Sequence, residues 1–242
     1  MTREGGSTRD SGYGQFCPVA KASEIVATRW TPLVLRELVC GSRRFNEIHR
    51  GVPLMSRALL TQRLRELEQA GIIRRVTPDG ARIAEYHLTK SGEELKPIII
   101  ALGIWGQRWV ESAHDSAEWD AGVLMWDMRR RIDTSALPPG RSVIQFEFAD
   151  APAELGRWWL VVEDGRTDLC QSDPGHEVGL YVACDVPTLA RVWIGKDSLR
   201  RAIDADEIVL TGDAALRRTV TQWMKLSAVV EALRGTEAGR AA

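Results

Sequence analysis

Apolar positions in the first hundred residues recur at helical spacing in short runs that end on glycine or proline. Val19, Ala22, Ile25 and Val26 share one face of a helix opened by Cys17-Pro18. Leu33, Leu35, Leu38 and Val39 repeat the pattern behind Thr31-Pro32, with Thr31 as N-cap and Gly41 as the stop. A shorter helix runs from about Phe45 to Arg50, with Phe45 and Ile48 inward, and ends at Gly51-Val52-Pro53. Ser56 then caps a longer helix to Ala70, with Leu60, Leu64 and Leu67 as its apolar stripe and Gly71 as its terminator. Opposite that stripe lie Ala58, Thr61, Gln62, Arg65, Glu66 and Gln69, a polar face of modest bulk. A hairpin follows: Ile72 to Thr77, a turn at Pro78-Asp79-Gly80, and a return strand through Ile83, Tyr86 and Leu88. Thr89 or Ser91 caps the next helix, Ser91 with Glu94 having capping-box spacing. Its apolar face, Leu95, Ile98, Ile99, Leu102, Trp105, Gly106 and Trp109, is too broad for a lone peripheral helix and predicts packing on a second chain.

The pattern changes after residue 113. A helix over about Ala117 to Arg131 presents Trp119, Val123, Trp126 and Met128, and Pro138-Pro139-Gly140 separates it from alternating segments. Ile144, Phe146 and Phe148 point inward with Gln145 and Glu147 outward. Trp158 to Glu163, Thr167 to Gln171 and Val178 to Cys184 follow across turns at Asp164-Gly165 and Asp173-Pro174-Gly175, which predicts a meandering antiparallel sheet. Helices at Thr188 to Ile194 and Ser198 to Ile203, a strand at Glu207 to Leu210, and a last helix from Ala214 to about Val230 complete the pattern. The fold class is α+β in two domains: a tail over 1–15, a first domain over 16–113, a second over 116–230, and a frayed end over 231–242.

Charge sharpens that division. The net charge of -1 is the sum of +6 over residues 1–110 and -7 over 111–242. Residues 29–75 hold ten Arg, no Lys and four acids, and such asymmetry suggests a polyanion partner for the first half. The chain's preference for Arg over Lys, 27 to 5, would also put Arg on any solvated face. Four scattered cysteines form no disulfide framework and no close metal or redox pair, no run approaches the ~18 apolar residues of a membrane span, and the start lacks a signal-peptide core. These features predict a cytoplasmic protein with no membrane partner.

Three short helices, a capped helix with a polar outer face, and a two-stranded wing make a winged helix-turn-helix. The segments Trp30-Thr31, Leu35-Arg36-Glu37-Leu38, Arg44-Phe45-Asn46-Glu47-Ile48, Leu60-Thr61-Gln62-Arg63-Leu64-Arg65-Glu66-Leu67, Gly71-Ile72-Ile73-Arg74-Arg75 and Tyr86-His87-Leu88-Thr89-Lys90-Ser91-Gly92 resemble the HxlR-type branch of MarR-like transcriptional regulators. The resemblance covers roughly residues 16–110. It implies a homodimer on an inverted-repeat operator in double-stranded DNA, with the helix from Ser56 in the major groove and the wing over the adjacent minor groove. Family members usually carry prolines in the wing before the Tyr strand, where this chain has Ala81-Arg82-Ile83-Ala84. On that frame Ser56 and Arg57 are candidates for phosphates at the helix start, Thr61, Gln62 and Arg65 for base edges, and Arg44 and Arg82 for flanking phosphates.

The end of the chain, Leu189-x-x-x-Trp193-Ile194-Gly195, Ala202-Ile203 and Ile208-Val209-Leu210-Thr211-Gly212-Asp213, resembles the sterol-carrier-protein-2-like fold over roughly 116–228. That resemblance implies a hydrophobic tunnel for a lipid-like or aromatic effector, with Trp126, Phe146, Phe148, Trp159, Trp193 and Trp223 as candidate lining, although aromatics of this size also fill ordinary cores. The neighbours Trp158 and Trp159 must face opposite sides of a strand. Phosphate-loop, nucleophile-elbow and dinucleotide motifs are absent, and four scattered His lack metal-ligand spacing, so neither an enzyme nor a cofactor is expected. HxlR-type proteins often carry a cysteine at this place, and in some relatives it senses oxidants or electrophiles, so the resemblance makes Cys17 a candidate sensor. The helix N-terminus would favour its thiolate, although a cysteine here also serves simply to cap or pack. Two other readings stay open: a thiol-sensing regulator acting through Cys17, and a lipid carrier that uses the winged helix to dimerise.

Overall fold

The computed structural model describes residues 12–110 and 119–241. Two compact units divide the chain, Met1–Ile99 and Ile100–Ala242. The first unit runs α1 (Pro18–Val26), α2 (Thr31–Val39), α3 (Phe45–Gly51), α4 (Arg57–Gln69), β1 (Ile73–Val76), β2 (Glu85–Leu88), α5 (Lys90–Glu94) and the first turn of α6 (Lys96–Trp109). Its core gathers Leu35, Leu38, Ile48, Leu60, Leu64 and Ile73, so the inward residues of α2, α3, α4 and β1 meet in one cluster.

Several local signals act one residue away from where the pattern puts them. The N-cap of α2 is Trp30, in the left-handed region at φ 76°, and its carbonyl accepts the Val34 N–H at 3.0 Å, so Thr31 is the first helical residue and is buried. Gly71 ends α4 as expected: its φ of +71° suits a residue without Cβ, its N–H donates to the Glu68 carbonyl, and the Ile72 N–H returns to Leu67. The return strand starts at Glu85, and Ile83 lies exposed in the loop before it. Thr89 caps α5 by accepting from the Gly92 N–H, whereas Ser91 donates to the Gly71 carbonyl at 2.9 Å. Residues 1–11 of the expected tail, and the expected domain boundary at 113–116, lie outside the described residues. From Gly12 the chain is placed, and the Tyr13 N–H donates to Glu24 Oε1 at 2.9 Å on α1.

The second unit holds α7 (Ala121–Arg129), a 3-10 turn (Thr134–Ala136), β3 (Ser142–Phe148), β4 (Arg157–Glu163), β5 (Arg166–Cys170), β6 (Leu180–Cys184), α8 (Val186–Trp193), α9 (Leu199–Asp204), β7 (Val209–Gly212), α10 (Ala214–Arg218), α11 (Val220–Trp223) and α12 (Ala228–Ala241). Side chains of Asp120, Asp185 and Asp213 accept backbone N–H groups at the starts of α7, α8 and α10. The sheet order is β5-β4-β3-β6-β7. It is mixed, not the antiparallel meander the turns predict, because residues 171–179 carry the chain past β4 to the free side of β3, where β6 pairs parallel. The single last helix expected over Ala214 to Val230 is three: α10, α11 and α12, the last continuing through residues expected to fray.

One face of this sheet builds the core, with Ile144, Phe146, Trp158, Leu160, Leu180 and Val182 packed against α7 and α8. Trp159 stands on the other face, in register with Gln145 and Cys170, and is buried there. Gln145 is buried beside it, contrary to its expected outward exposure, and donates to Glu147.

A buried carboxylate ties α2 to α3. Glu37 is fully buried, accepts from Arg36 Nη2 at 2.9 Å and from the Ser42 hydroxyl at 3.1 Å, and Arg36 Nη2 also donates to the Gly51 carbonyl at 2.8 Å. A Cβ on Gly51 would occupy the space of the Glu37 carboxylate. Gly51→Ala is therefore expected to destabilise the protein by roughly 1–3 kcal/mol through overpacking. Urea denaturation followed by circular dichroism measures this, and an unchanged midpoint would show that the carboxylate yields freely.

Candidate nucleic-acid interface

The geometry of the first unit turns the polar side of α4 outward. Leu60, Leu64 and Leu67 are buried, and Ser56, Arg57, Gln62 and Arg65 are exposed, with Thr61 half-buried between them. The Ser56 hydroxyl caps the helix by accepting the Leu59 N–H at 3.3 Å. Its remaining hydrogen-bonding capacity, with the helix N-terminus behind it, suits a phosphate oxygen.

The seven predicted contact residues do not stand in the same condition. Arg57 donates twice to Asn46 Oδ1, at 3.0 and 3.1 Å, and its guanidinium lies 5.5 Å from the Phe45 ring centroid, so it locks the start of α4 onto α3. Arg44 precedes α3 and pairs with Glu85 at 3.6 Å, where a single bridge joins it to β2. Thr61 donates back to the Arg57 carbonyl at 2.8 Å, and Gln62 donates to Glu66 at 2.9 Å. Arg65 on α4 and Arg82 in the wing loop are exposed and have no side-chain partner among the described residues. Those two guanidiniums keep all their donors for a ligand.

Register in the wing adds to this surface. Arg74 pairs opposite His87, and Val76 opposite Glu85, so Arg74, Glu85 and His87 share the face away from the buried Ile73 and Leu88. Glu85 also meets His87 Nε2 at 3.1 Å. Reading along the chain missed Glu85 as the residue that holds Arg44 and His87 together. The signal for it was the two-residue spacing of Glu85 and His87 on one strand. The arginine-rich segment is also partly internal: Arg36 serves Glu37, Arg43 donates to the Leu38 carbonyl at 2.7 Å, and Arg63 pairs with Glu66.

Cys17 sits immediately before α1, where hydrogen bonds from the backbone of Ala20 and then Val19 hold its thiol below the ordinary range. Burial pushes Cys184 in the second unit up to about 12. The six aromatics proposed as pocket lining do not line one cavity. Phe146, Phe148, Trp193 and Trp223 belong to the core, Trp126 is covered by the Arg129 guanidinium 4.2 Å from its ring, and Trp159 lies on the opposite sheet face. Of the six, only Trp193 lines a cavity of about 480 Å³ beside α8 and α9. Among the described residues no group of three His, Cys, Asp or Glu could hold a metal, and no helix is long and apolar enough to cross a membrane.

Residues 25–114 match the family model described as HxlR-like helix-turn-helix. The HTH-type transcriptional regulator YvaP of Bacillus subtilis is 37% identical over 99 residues, covering 40% of this chain and 92% of that protein. The regulator sll1512 of Synechocystis is 40% identical over 99 residues, covering 40% and 73%. Among solved structures, the redox regulator HypR in its reduced form is 33% identical over 38% of this chain and 91% of its own, with a TM-score of 0.36. With nearly the whole of a 37%-identical regulator matched onto the winged unit, the chain belongs to the HxlR-like helix-turn-helix family of transcriptional regulators.

Proposed function

We propose that the protein is a cytoplasmic, non-enzymatic regulator that binds an inverted-repeat operator as a homodimer. The observation that carries this reading is the outward face of α4, where Arg65 stands uncommitted, next in the chain to a wing bearing Arg74, Arg75 and Arg82 on exposed positions. Arg65 then reads base edges with Thr61 and Gln62, whereas Ser56, Arg57, Arg44 and Arg82 meet phosphates. The dimer is supported by α6, where Ile98, Leu102, Trp105 and Trp109 recur at spacings of four and three and are each more than half exposed. Such a stripe is stable in water only when covered. The second unit is read as a sterol-carrier-protein-2-like domain that takes a hydrophobic effector, supported by its five-stranded sheet, the helices on one face, and the cavity at Trp193. Occupancy that favours one arrangement of the dimer shifts the DNA-competent population.

A second reading, thiol sensing, is favoured by the lowered pKa of Cys17. A pKa below the ordinary value makes the thiolate available at lower pH, so Cys17 is a site at which an electrophile can react near neutrality.

Mobility shifts on operator and scrambled DNA separate the proposed arginine roles. Arg65→Ala is expected to reduce preference for the operator by roughly 1–3 kcal/mol, and Arg82→Ala to weaken all sequences alike and lower the salt slope by about 1. No change for either variant would reject the placement of α4 and the wing. Leu102→Glu combined with Trp105→Glu is expected to give a monomer in sedimentation velocity, and a persistent dimer would exclude α6 as the contact. Alkylation by iodoacetamide, followed peptide by peptide in mass spectrometry, should rise at lower pH for Cys17 than for an ordinary thiol and stay negligible for Cys184 until unfolding. Should Cys17→Ser keep a diamide-responsive DNA affinity, sensing at this residue is excluded.

A further inference from the structure

The cavity at Trp193 has a floor and a rim of different chemistry. Met128, Leu189, Val192, Trp193, Met224 and Leu226 supply an apolar floor from α7, α8 and the segment after α11. Lys196, Asp197, Arg200 and Lys225 bring charge to the same cavity. Asp197 is paired: it accepts from Arg201 Nε at 2.6 Å and from the Ser198 N–H at 2.7 Å, and the Arg201 hydrogen bond holds its carboxyl below the usual range, but Arg201 also serves Glu207, so one negative charge stays with this trio. Lys225 is matched by Asp133 at 3.3 Å. Lys196 and Arg200 are exposed at the mouth and have no side-chain partner among the described residues. The rim therefore stays net positive, with Lys196 and Arg200 free of side-chain partners above the apolar floor of a cavity of about 480 Å³, within the range of small-molecule sites.

We infer that this cavity binds an amphipathic organic anion, its carboxylate or sulfonate held by Lys196 and Arg200 and its apolar body lying on Met128, Leu189, Val192 and Met224. This deepens the effector reading above by naming the place and the chemical class, and that reading gives the site its regulatory meaning. A charged headgroup gains charge-assisted hydrogen bonds from two cations that otherwise face only water, and the apolar body removes the floor from solvent. A neutral molecule of the same shape keeps only the second gain. The preference for an anion over its neutral counterpart is thus a property of two residues. Neither lies in the core, so both can be changed without opening a cavity.

Fluorescence titration of the full-length protein with 8-anilinonaphthalene-1-sulfonate, and with the uncharged N-phenyl-1-naphthylamine, tests this assignment. Lys196→Gln combined with Arg200→Gln is expected to weaken the sulfonate by roughly tenfold or more and to leave the uncharged probe within twofold. Thr221→Trp places an indole into the cavity from an exposed lining position and is expected to weaken both probes. The same thermal midpoint in all variants shows that they fold alike. If the double variant weakens the two probes equally, or Thr221→Trp leaves the sulfonate unaffected, the site is wrong. Operator affinity measured with saturating dodecanoate and dodecanol tests the regulatory meaning separately. An anion that binds through Lys196 and Arg200 but leaves operator affinity unchanged refutes the effector reading and leaves the site in place.

Discussion

Glu37 places a carboxylate in the middle of an otherwise apolar unit, and the positions of the surrounding elements follow from the groups that satisfy it. Removing a charge from water costs several kcal/mol unless partners and hydrogen bonds replace the lost hydration. Arg36 and Ser42 supply those partners, and Arg36 extends the network to the Gly51 carbonyl at the end of α3. The crossing of α2 and α3 is thereby set by polar geometry inside a shell of Leu and Ile, which discriminates between packings more sharply than apolar contact does. From α3 the constraint passes in two directions. Asn46 and Phe45 hold Arg57 at the start of α4, and Arg44 reaches Glu85 on β2. The outward face of α4 and the base of the wing are both referred back to one buried acid.

The arginines separate into two populations with different physical roles. Arg36, Arg43, Arg57 and Arg63 use the planar fork to satisfy backbone carbonyls and carboxylates or amides within the unit, a role that lysine's single ammonium would fill poorly. Arg65 and Arg82 are left outward. A surface that mixes both kinds has a high formal charge but a smaller set of donors available to a polyanion. In this family the relatives are named as transcriptional regulators, and the available set lies where the fold presents a helix and a hairpin side by side.

The second unit solves a different packing problem. A single sheet with helices on one face must bury that face and leave the other polar or covered. Its helical side is closed by Phe146, Trp158, Leu160 and Trp223, and the Trp223 indole N–H is satisfied by the Leu216 carbonyl at 3.1 Å. Trp158 and Trp223 are core, with their indole N–H groups paired to the Leu155 and Leu216 carbonyls, and the cavity opens where α8 turns through Gly195 into the cap of α9.

What the residues determine locally was legible from them. The helices of the winged unit, the Ser56 cap, the Gly71 stop and the alternation of Phe146 and Phe148 with Gln145 all follow from periodicity, side-chain size and backbone preference within a few positions. Trp158 and Trp159 had to diverge because adjacent strand residues face opposite ways, and they do. Tertiary structure decided everything whose partner is remote. It placed β6 parallel to β3, since a turn sequence states that the chain reverses but not which strand it joins next. It gave Arg36 and Arg57 partners inside the unit, since Gly51 and Asn46 come near only after the helices cross. It ended α11 at Trp223, because the Ile132 to Met224 bridge and the Asp133 N–H bond to the Trp223 carbonyl hold the chain away from helical continuation. The cavity rim was hidden for the same reason: whether Lys196 and Arg200 are free depends on Arg201 and Asp133 occupying the neighbouring charges.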